Sequence, residues 1–433
     1  MTPLLAAALA AALQHQGHAG MDMPMPPPAP PAGQAPAAPP DDGSIVVADT
    51  RETPGSLGSY AITREASGTS WQPDISDHRG VHVMAGDWML MGHALLNLVF
   101  DRQEGPRGGD KAFVLGMVMG SARRPLGSGT LQLRAMLSPE PLMGPRGYPL
   151  LLASGETADG LTTLVDRQHP HDLFMELSAS YSVRLAYATS AFVYAGLPGE
   201  PAFGPPAFMH RLSIMDSPEA PISHHWLDST HIAFGVATVG LVHGNMKVEA
   251  SRFNGREPDQ YRWGIETGPL DSTALRLSWN PTDRLAVQAS WGRFVGPEQL
   301  EPGENQTRWS ASAIWTRPIY DGSWSTTLAW GRRSTAGRTL DAFVLESALR
   351  RERWTVFGRA EETENDELTG IHHGPVYGVG KASIGAIRDF QVAPHAALGL
   401  GALVAQNFVP RTLRPSYGGD AGGFMAFVRL KVD

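Results

Sequence analysis

Histidine and carboxylate side chains concentrate in two stretches of the chain, where together they could bind a metal ion. Six of the fifteen histidines lie between positions 169 and 231, in the runs 166–172 and 208–231. Imidazole and carboxylate groups at this density suit Zn²⁺ or Cu²⁺. The candidate ligands in the two runs are His169, His171, Asp172, His210, His224, His225, Asp228 and His231.

Two other interpretations of these residues stay open. A histidine beside Asp172 or Asp228 could act as a general base with an orienting carboxylate, as in a hydrolase. Alternatively, the two runs fold into a pore mouth and bond to one another through His, Arg and Asp, since the prolines between 205 and 221 favour ordered loops. The sequence contains no nucleophilic serine motif, so we predict a protein that is not an enzyme.

Methionines form a second set of candidate ligands near the start of the patterned region. Residues at alternate positions of a strand lie on the same face. By this rule Met89, Met91 and His93 lie on one face with polar Asn97 and Asp101. Met117 and Met119 likewise lie on one face with Ser121 and Arg123. Because their neighbours on this face are polar, we predict that these methionines and His93 face a water-filled interior. A row of thioethers there could pass a soft cation such as Cu(I). Alternatively, flexible methionines pack there against a plug or an infolded loop.

The N-terminal region adds further soft donors. Met21, Met23 and Met25 follow His15 and His18 within eleven residues, a composition associated with metal binding. A biased linker without function is the alternative. We predict a signal peptide over 1–20 because this segment has an apolar core and small residues, although it lacks a basic start. A disordered Met/Pro-rich tail is predicted for 21–45, and a periplasmic segment or small plug for 46–85.

The elements that must position these residues are strands of a particular kind. In 307–315 and 324–330 polar and apolar residues alternate, and tryptophans occupy both ends of the apolar face. The core of a soluble sandwich would place its bulkiest residues in mid-strand. Aromatic residues flanking an apolar band of roughly 25 Å are typical of a transmembrane barrel.

This alternation recurs from residue 86 to residue 433, which we predict to be an all-β, antiparallel, up-and-down transmembrane barrel of about sixteen strands (14–18). The predicted strands cover 88–101, 112–122, 129–137, 173–183, 187–196, 230–242, 245–254, 273–280, 284–294, 306–316, 323–332, 340–350, 353–361, 376–387, 395–405 and 421–432. Long and short connections alternate between them, as in bacterial outer-membrane barrels. An even strand number then places both chain ends in the periplasm of a Gram-negative bacterium.

Composition excludes several other classes of protein. No apolar run reaches the length of about 18 residues that a helical membrane span requires. The net charge of −8 argues against a nucleic-acid partner. Cysteine is absent, which excludes disulfides and thiolate metal sites. The inward parity of the strands predicts a charged lumen lined by Glu176, Lys247, Glu249, Arg276, Arg308, Glu346, Arg359, Glu361, Lys381, Arg429 and Lys431.

Four stretches carry a resemblance to a known group of proteins. Residues 64–73, 166–174, 208–211 and 223–234 resemble uncharacterised Gram-negative outer-membrane barrels with His/Met-rich N-termini, which are associated with copper and heavy-metal resistance. The architecture is also similar to that of the copper-resistance protein B type, a Met-rich periplasmic tail on a barrel. The tail here has three closely spaced methionines rather than many repeats. The resemblance implies metal handling and periplasmic copper proteins as partners.

Three functions follow from these observations. The first is a barrel that binds or passes metal ions, copper or zinc, in metal tolerance. The second is a porin-like channel for small solutes, constricted by loops rich in His, Arg and Asp; the third is an outer-membrane hydrolase. In each case we expect contacts with outer-membrane lipid and lipopolysaccharide, and insertion by the barrel assembly machinery. His372 and His373, in a later loop, could reach the same pore mouth.

Overall fold

Sixteen strands close into one antiparallel barrel in the computed structural model, which describes residues 53–77 and 80–433. The predicted signal peptide, the predicted tail and Met21, Met23 and Met25 lie outside the described residues. Nineteen strands occur in the described part: β1 Val81–Ala85, β2 Trp88–Gln103, β3 Gly109–Leu126, β4 Gly129–Leu137, β5 Tyr148–Thr157, β6 Thr163–Gln168, β7 Phe174–Ala186, β8 Thr189–Gly196, β9 Val236–His243, β10 Met246–Phe253, β11 Ser272–Thr282, β12 Leu285–Val295, β13 Asn305–Ile319, β14 Gly322–Thr335, β15 Arg338–Arg351, β16 Trp354–Asn365, β17 Tyr377–Ala393, β18 Ala396–Phe408 and β19 Gly422–Val432.

The barrel closes by pairing its last strand with its first. Strands β2, β3, β4 and β7 to β19 pair in chain order, and β19 then pairs with β2 from Val432 opposite Ala94 to Gly423 opposite Gln103. This closure leaves no edge with unpaired backbone groups, which a lipid environment requires. The predicted sixteen-stranded barrel is therefore confirmed.

Side chains alternate between lipid and lumen as the pattern predicts. On β13, Trp309 is 49% exposed on the outer surface while its neighbour Arg308 is 1% exposed and faces the interior. On β19, Val428 faces outward at 43% exposure and Arg429 inward at 1%. Ten of the eleven charged residues predicted to line the lumen are buried, and Lys431 is partly buried.

The two ends of the barrel differ in their connections. Seven turns at one end have two residues each: 127–128, 187–188, 244–245, 283–284, 320–321, 352–353 and 394–395. Gly244 has a φ of 58°, the positive value that tight hairpin turns favour. At the other end the connections are longer, except for 336–337. Both ends of the barrel sequence, at Trp88 and Val432, lie at the short-turn end.

Two long loops, 138–173 and 197–235, are predominantly buried. The first contains the hairpin β5–β6, which pairs with no barrel strand and was not predicted. Almost every residue of β5 is buried, so it lacks the alternation that marks the wall strands. The second loop contains a single helical turn, α1 (His224–Leu227), followed by a 3-10 turn (Ser229–His231).

The predicted strand over 230–242 is wrong at its start, because β9 begins at Val236. His231 belongs instead to the 3-10 turn, where its Nδ1 atom bonds to the carbonyl oxygen of Asp228 at 2.7 Å. Gly235 then takes a φ of 108°, a conformation that glycine adopts without strain and that separates the loop from the strand.

Residues 53–77 make contacts inside the barrel near the short turns. Leu57, Tyr60 and Trp71 pack against Phe192 of β8 and Val242 of β9. The backbone of Thr69 accepts a hydrogen bond from Lys247. No helix in the described ranges is long and apolar enough to cross a membrane.

A charge placed on the lipid face in mid-strand should destabilise the barrel. Val428 lies between Leu400 and Leu98, both 57% exposed on the outer surface. We expect Val428→Arg to lower the free energy of unfolding by about 2–4 kcal/mol, because a charge at the bilayer midplane loses its hydration. Urea unfolding in phospholipid vesicles measures this change. Val392→Arg, close to the 394–395 turn, should cost only about 0–1 kcal/mol; equal effects would contradict the assigned membrane band.

Candidate metal centre

Three buried histidines from the two infolded loops converge on one point. His171 follows β6, His224 is the first residue of α1, and His231 ends the 3-10 turn. One ring nitrogen of each residue lies within 4.8 Å of those of the other two. The ring centroid of His231 is 5.0 Å from that of His171 and 5.2 Å from that of His224. This spacing suits three ligands of a single metal ion.

The orientation of each ring is set by a hydrogen bond from its Nδ1 atom. His171 donates to the Glu140 carboxylate at 2.9 Å, and His224 to the Asp228 carboxylate at 2.9 Å. His231 donates to the Asp228 carbonyl oxygen. These bonds fix the tautomer that leaves Nε2 as a lone-pair donor, the arrangement usual behind metal-bound histidines. Among the described residues, the Nε2 atoms of His171 and His231 are buried without a hydrogen-bond partner.

Asp228 is held in turn by a fully buried arginine that connects the loop to the barrel wall. Arg211 donates to the Asp228 carboxylate at 2.5 Å and makes two bonds of 2.7 Å to Glu346 of β15. Such bidentate pairs are strong and geometrically specific. The position of His224 therefore depends on a strand on the wall.

The electrostatics leave two of the three imidazoles neutral. Burial lowers the pKa of His224 and of His231, and in His231 the neighbouring His171 lowers it further. Burial also acts to lower the pKa of His171, but the charge of Glu140, its hydrogen bond to the ring and the charge of Asp172 together outweigh burial, and the pKa is raised. Burial would raise the pKa of Asp228, but Arg211 holds that pKa below its ordinary value. A metal ion would then displace one proton at most, from His171.

Three neutral nitrogen donors leave an open position on a tetrahedral ion. This ligand set suits Zn²⁺, and imidazole also binds Cu²⁺. A cavity of about 40 Å³ beside His171 is lined by Glu140, Met117, Met209 and Met215 among others. It is large enough for a water molecule. Phe208 covers the centre, with its ring 6.1 Å from His171 and 5.6 Å from His224.

Two further predicted ligands lie beside this centre but bond to other carboxylates. His169 contacts Glu156 at 3.0 Å, and His225 contacts Glu257 at 3.1 Å. The ring of His225 is 5.7 Å from those of both His169 and His224. These residues form an outer layer around the three converging histidines.

The remaining predicted ligands are not members of the three-histidine centre. Asp172 is paired with Arg262 at 3.1 Å. Burial lowers the pKa of His210 to about 3, and the charges next in effect are those of His93 and Arg134 on the wall. Met89, Met91 and His93 face the lumen on β2. Met117 packs with Met136, Met175, Ile232 and Phe234, and Met119 lies against the same cluster.

Sequence reasoning named Asp228 but missed Glu140, which orients His171, and the pairing of Arg211 with Glu346. Glu140 lies 31 residues before His171, and Glu346 lies 135 residues after Arg211. No spacing pattern links such distant positions. The available signal was the presence of acidic residues in the same loop as His169 and His171, which marks Glu140 and Glu156 as possible partners. Glu257 lies in the 254–271 loop, which contains no histidine.

Comparisons with known proteins identify the fold. No family model and no curated protein matches the chain. OmpF of Salmonella typhi, solved with daunomycin, is similar with a TM-score of 0.51 at 9% identity, covering 81% of this chain and 100% of that one. OmpT of Vibrio cholerae gives 0.46 at 9% identity over 80% and 98% of the two chains. An anion-selective porin of Comamonas acidovorans gives 0.44 at 9% identity over 79% and 99%.

At these identities the likeness to OmpF establishes the fold alone, which is that of outer-membrane β-barrel proteins. The comparisons support the outer-membrane barrel that the sequence resemblance implied. Nothing in these comparisons supports the copper-resistance family.

The effect of Glu140 on His171 is directly measurable. In the metal-free protein, His171 should titrate above its ordinary value of 6.5, because Glu140 stabilises its charged form. The contact therefore stabilises the fold fully below the unfolded-state pKa and loses this contribution as pH rises through the folded-state pKa. We expect Glu140→Gln to move the pKa of His171 below 6.5, as followed by NMR of labelled histidine. Glu352→Gln, in a turn at the opposite end, is the control; an unchanged His171 titration in Glu140→Gln would contradict the assignment.

Proposed function

We propose that the protein is an outer-membrane barrel of a Gram-negative bacterium that holds a transition-metal ion in its lumen and contributes to metal tolerance. The observation that carries this proposal is the convergence of His171, His224 and His231, each with its Nδ1 atom already committed to an oxygen. Buried polar atoms usually have partners, and those without one require an explanation. A metal ion shared by the three rings supplies it.

Copper and zinc are the ions that this ligand set favours. Three imidazoles bind either ion, while thioether sulfur favours Cu(I). Met117 and Met209 line the cavity next to His171. We therefore propose copper as the preferred ion and zinc as the alternative, with periplasmic copper proteins as partners.

The orientation in the membrane is also a proposal. In bacterial outer-membrane barrels the short turns face the periplasm and the long loops face the exterior. The short-turn end here carries both ends of the barrel sequence, which supports periplasmic termini. The outer surface would then contact lipid and lipopolysaccharide, after insertion by the barrel assembly machinery.

A porin-like channel for small solutes is the second candidate. The fold that the chain shares with OmpF is found in porins, and the comparisons favour this function over copper handling. Against it stands the filling of the lumen by the loops 138–173 and 197–235. A hydrolase has less support, because a cavity of about 40 Å³ beside the histidines does not admit a lipid or a peptide.

Metal binding should depend on the three histidines and on no other histidine of the same loops. We expect the refolded barrel to bind one tightly held Cu²⁺ or Zn²⁺ ion, and His231→Ala to lower that affinity at least about tenfold, as loss of a ligand or its support does. Isothermal titration with each ion measures this. His210→Ala is the matched control, because His210 lies partly buried in the same loop but outside the centre. Equal binding by both variants would contradict the proposal.

The thioethers provide a test of ion preference. If copper is the physiological ion, replacing Met117 and Met209 by leucine should weaken Cu(I) binding and leave Zn²⁺ binding unchanged, since leucine keeps the volume and removes the soft donor. Competition titration under reducing conditions measures the first affinity. Equal effects on both ions would argue for zinc.

Channel conductance separates the two candidate functions. We expect single-channel conductance in planar bilayers well below that of OmpF at the same salt concentration, because the infolded loops fill the lumen. Arg211→Ala should raise it, since the loop then loses its link to Glu346; Arg332→Ala, in an exposed pair with Asp341, should not. A steady, OmpF-sized conductance that is indifferent to copper and to replacement of His169, His171, His224 and His225 would favour the porin.

A further inference from the structure

A second group of histidine and carboxylate side chains lies at the long-loop end of the barrel. His372 and His373 belong to the 366–376 loop, and Glu304 closes the 296–304 loop. One ligand atom of each residue lies within 4.8 Å of those of the other two. His373 bonds to Glu304 through Nε2 at 2.7 Å, and the two imidazole centroids are 4.1 Å apart. We call Glu304, His372 and His373 the rim cluster.

The charges around the rim cluster are mainly negative. Glu301 and Glu367 lie 4.0 and 3.9 Å from His372, and Asp366 lies 3.3 Å from His373. The cations facing these groups are Arg338, 3.5 Å from Asp366, and Arg333, 3.5 Å from Asp366 and 3.9 Å from Glu367. Four carboxylates thus surround two imidazoles and two guanidinium groups. The cluster is partly exposed, with 21–23% of each histidine side chain accessible, so an ion from solution can reach it.

A small pocket lies beside the rim cluster. Its lining includes His372, Glu367, Glu298 and Glu156. Glu156 contacts His169 at 3.0 Å, and the ring of His169 is 6.2 Å from that of His224, a member of the lumenal centre. Metal-ligating side chains therefore follow one another from the rim to the three converging histidines.

Two carboxylates of this pocket, Glu156 and Glu298, are buried, with 9% and 8% of their surface exposed. The cations that face them are Arg262 at Glu156, Arg333 at Glu298 and the nearby His225. A divalent cation that enters the pocket would meet both carboxylates, whose oxygen atoms are ligands that Zn²⁺ accepts.

We propose that the rim cluster is a second, weaker site for the same class of divalent cation, and that it loads the lumenal centre through Glu367, Glu298 and Glu156. Two imidazoles and a carboxylate suit Zn²⁺ and Cu²⁺. Because the rim site is partly exposed, it exchanges ions with solution quickly. The buried centre fills slowly unless an ion first binds at the rim site. The loading step rests on the proposed function; binding at the rim does not.

Zn²⁺ alone is the probe for the first measurement, by equilibrium dialysis and elemental analysis of the refolded barrel. We expect two ions per wild-type chain and one in the double variant His372→Ala/His373→Ala. Glu304→Gln, which keeps both histidines, should weaken the second ion without abolishing it. His395→Ala is the matched control, because His395 is exposed in a turn at the opposite end. Heat-modified gel mobility verifies that each variant has folded.

The second measurement is the rate at which the lumenal centre fills, followed by transfer of Zn²⁺ from a fluorescent chelator. The double variant should reach the same final occupancy of the lumenal centre but fill it at least about tenfold more slowly, the scale on which local charge raises association rates. The proposal would be overturned if the double variant still bound two ions. It would also be overturned if the double variant lost one ion but filled the lumenal centre at the wild-type rate.

A third set of variants tests the rim site separately from the lumenal centre of the proposed function. In a His171→Ala/His224→Ala/His231→Ala background the lumenal ion is absent by design. Retention of one ion that His372→Ala/His373→Ala then removes supports the rim site by itself. The wild-type barrel could instead bind a single ion that is lost in His372→Ala/His373→Ala and kept in the triple lumenal variant. That result would refute the lumenal centre.

Discussion

The width of the barrel is the constraint on which the rest of the structure depends. Barrels of sixteen strands enclose more space than their own inward side chains fill. The wall here points charged side chains into that space, and the infolded loop 197–235 adds another. Six of the largest fully buried side chains are cationic: Arg276, Arg308, Arg429, Lys247 and Lys381 from the wall, and Arg211 from the loop. An unpaired charge in such an interior costs several kcal/mol. Each of the six accordingly meets a carboxylate, from the wall or from an infolded loop.

These pairings decide where the loops lie. Glu346 on the wall binds Arg211, and Arg211 binds Asp228, whose carboxylate orients His224. Glu219 of the same loop is held by Lys381 at 2.5 Å and by Arg359 at 3.5 Å. A loop tied at several points to a rigid wall holds its side chains in fixed positions, which is the support that a metal centre requires. The ion pairs between the wall and the loops thus neutralise the charges in the lumen. The same ion pairs fix the positions of the loop histidines.

The wall of this molecule could be predicted from the sequence, whereas the contents of the lumen could not. Alternation along a strand is a local property, so the inward position of Arg308 and the outward position of Trp309 follow from their parity. The approach of His171 to His224 depends on two loops meeting in space, and parity carries no information about that. The buried strand β5 has apolar residues on both faces and therefore lacks the periodicity by which wall strands are recognised.

The link between Arg211 and Glu346 also bears on when the proposed metal centre can form. Glu346 follows Arg211 by 135 residues, on a strand that enters the sheet late in chain order. Before that strand is in place, the loop that carries His224 and His231 lacks its tie through Arg211 to the wall. If the proposed metal centre is correct, an incompletely folded polypeptide would compete poorly for an ion, and only the finished barrel would bind one tightly.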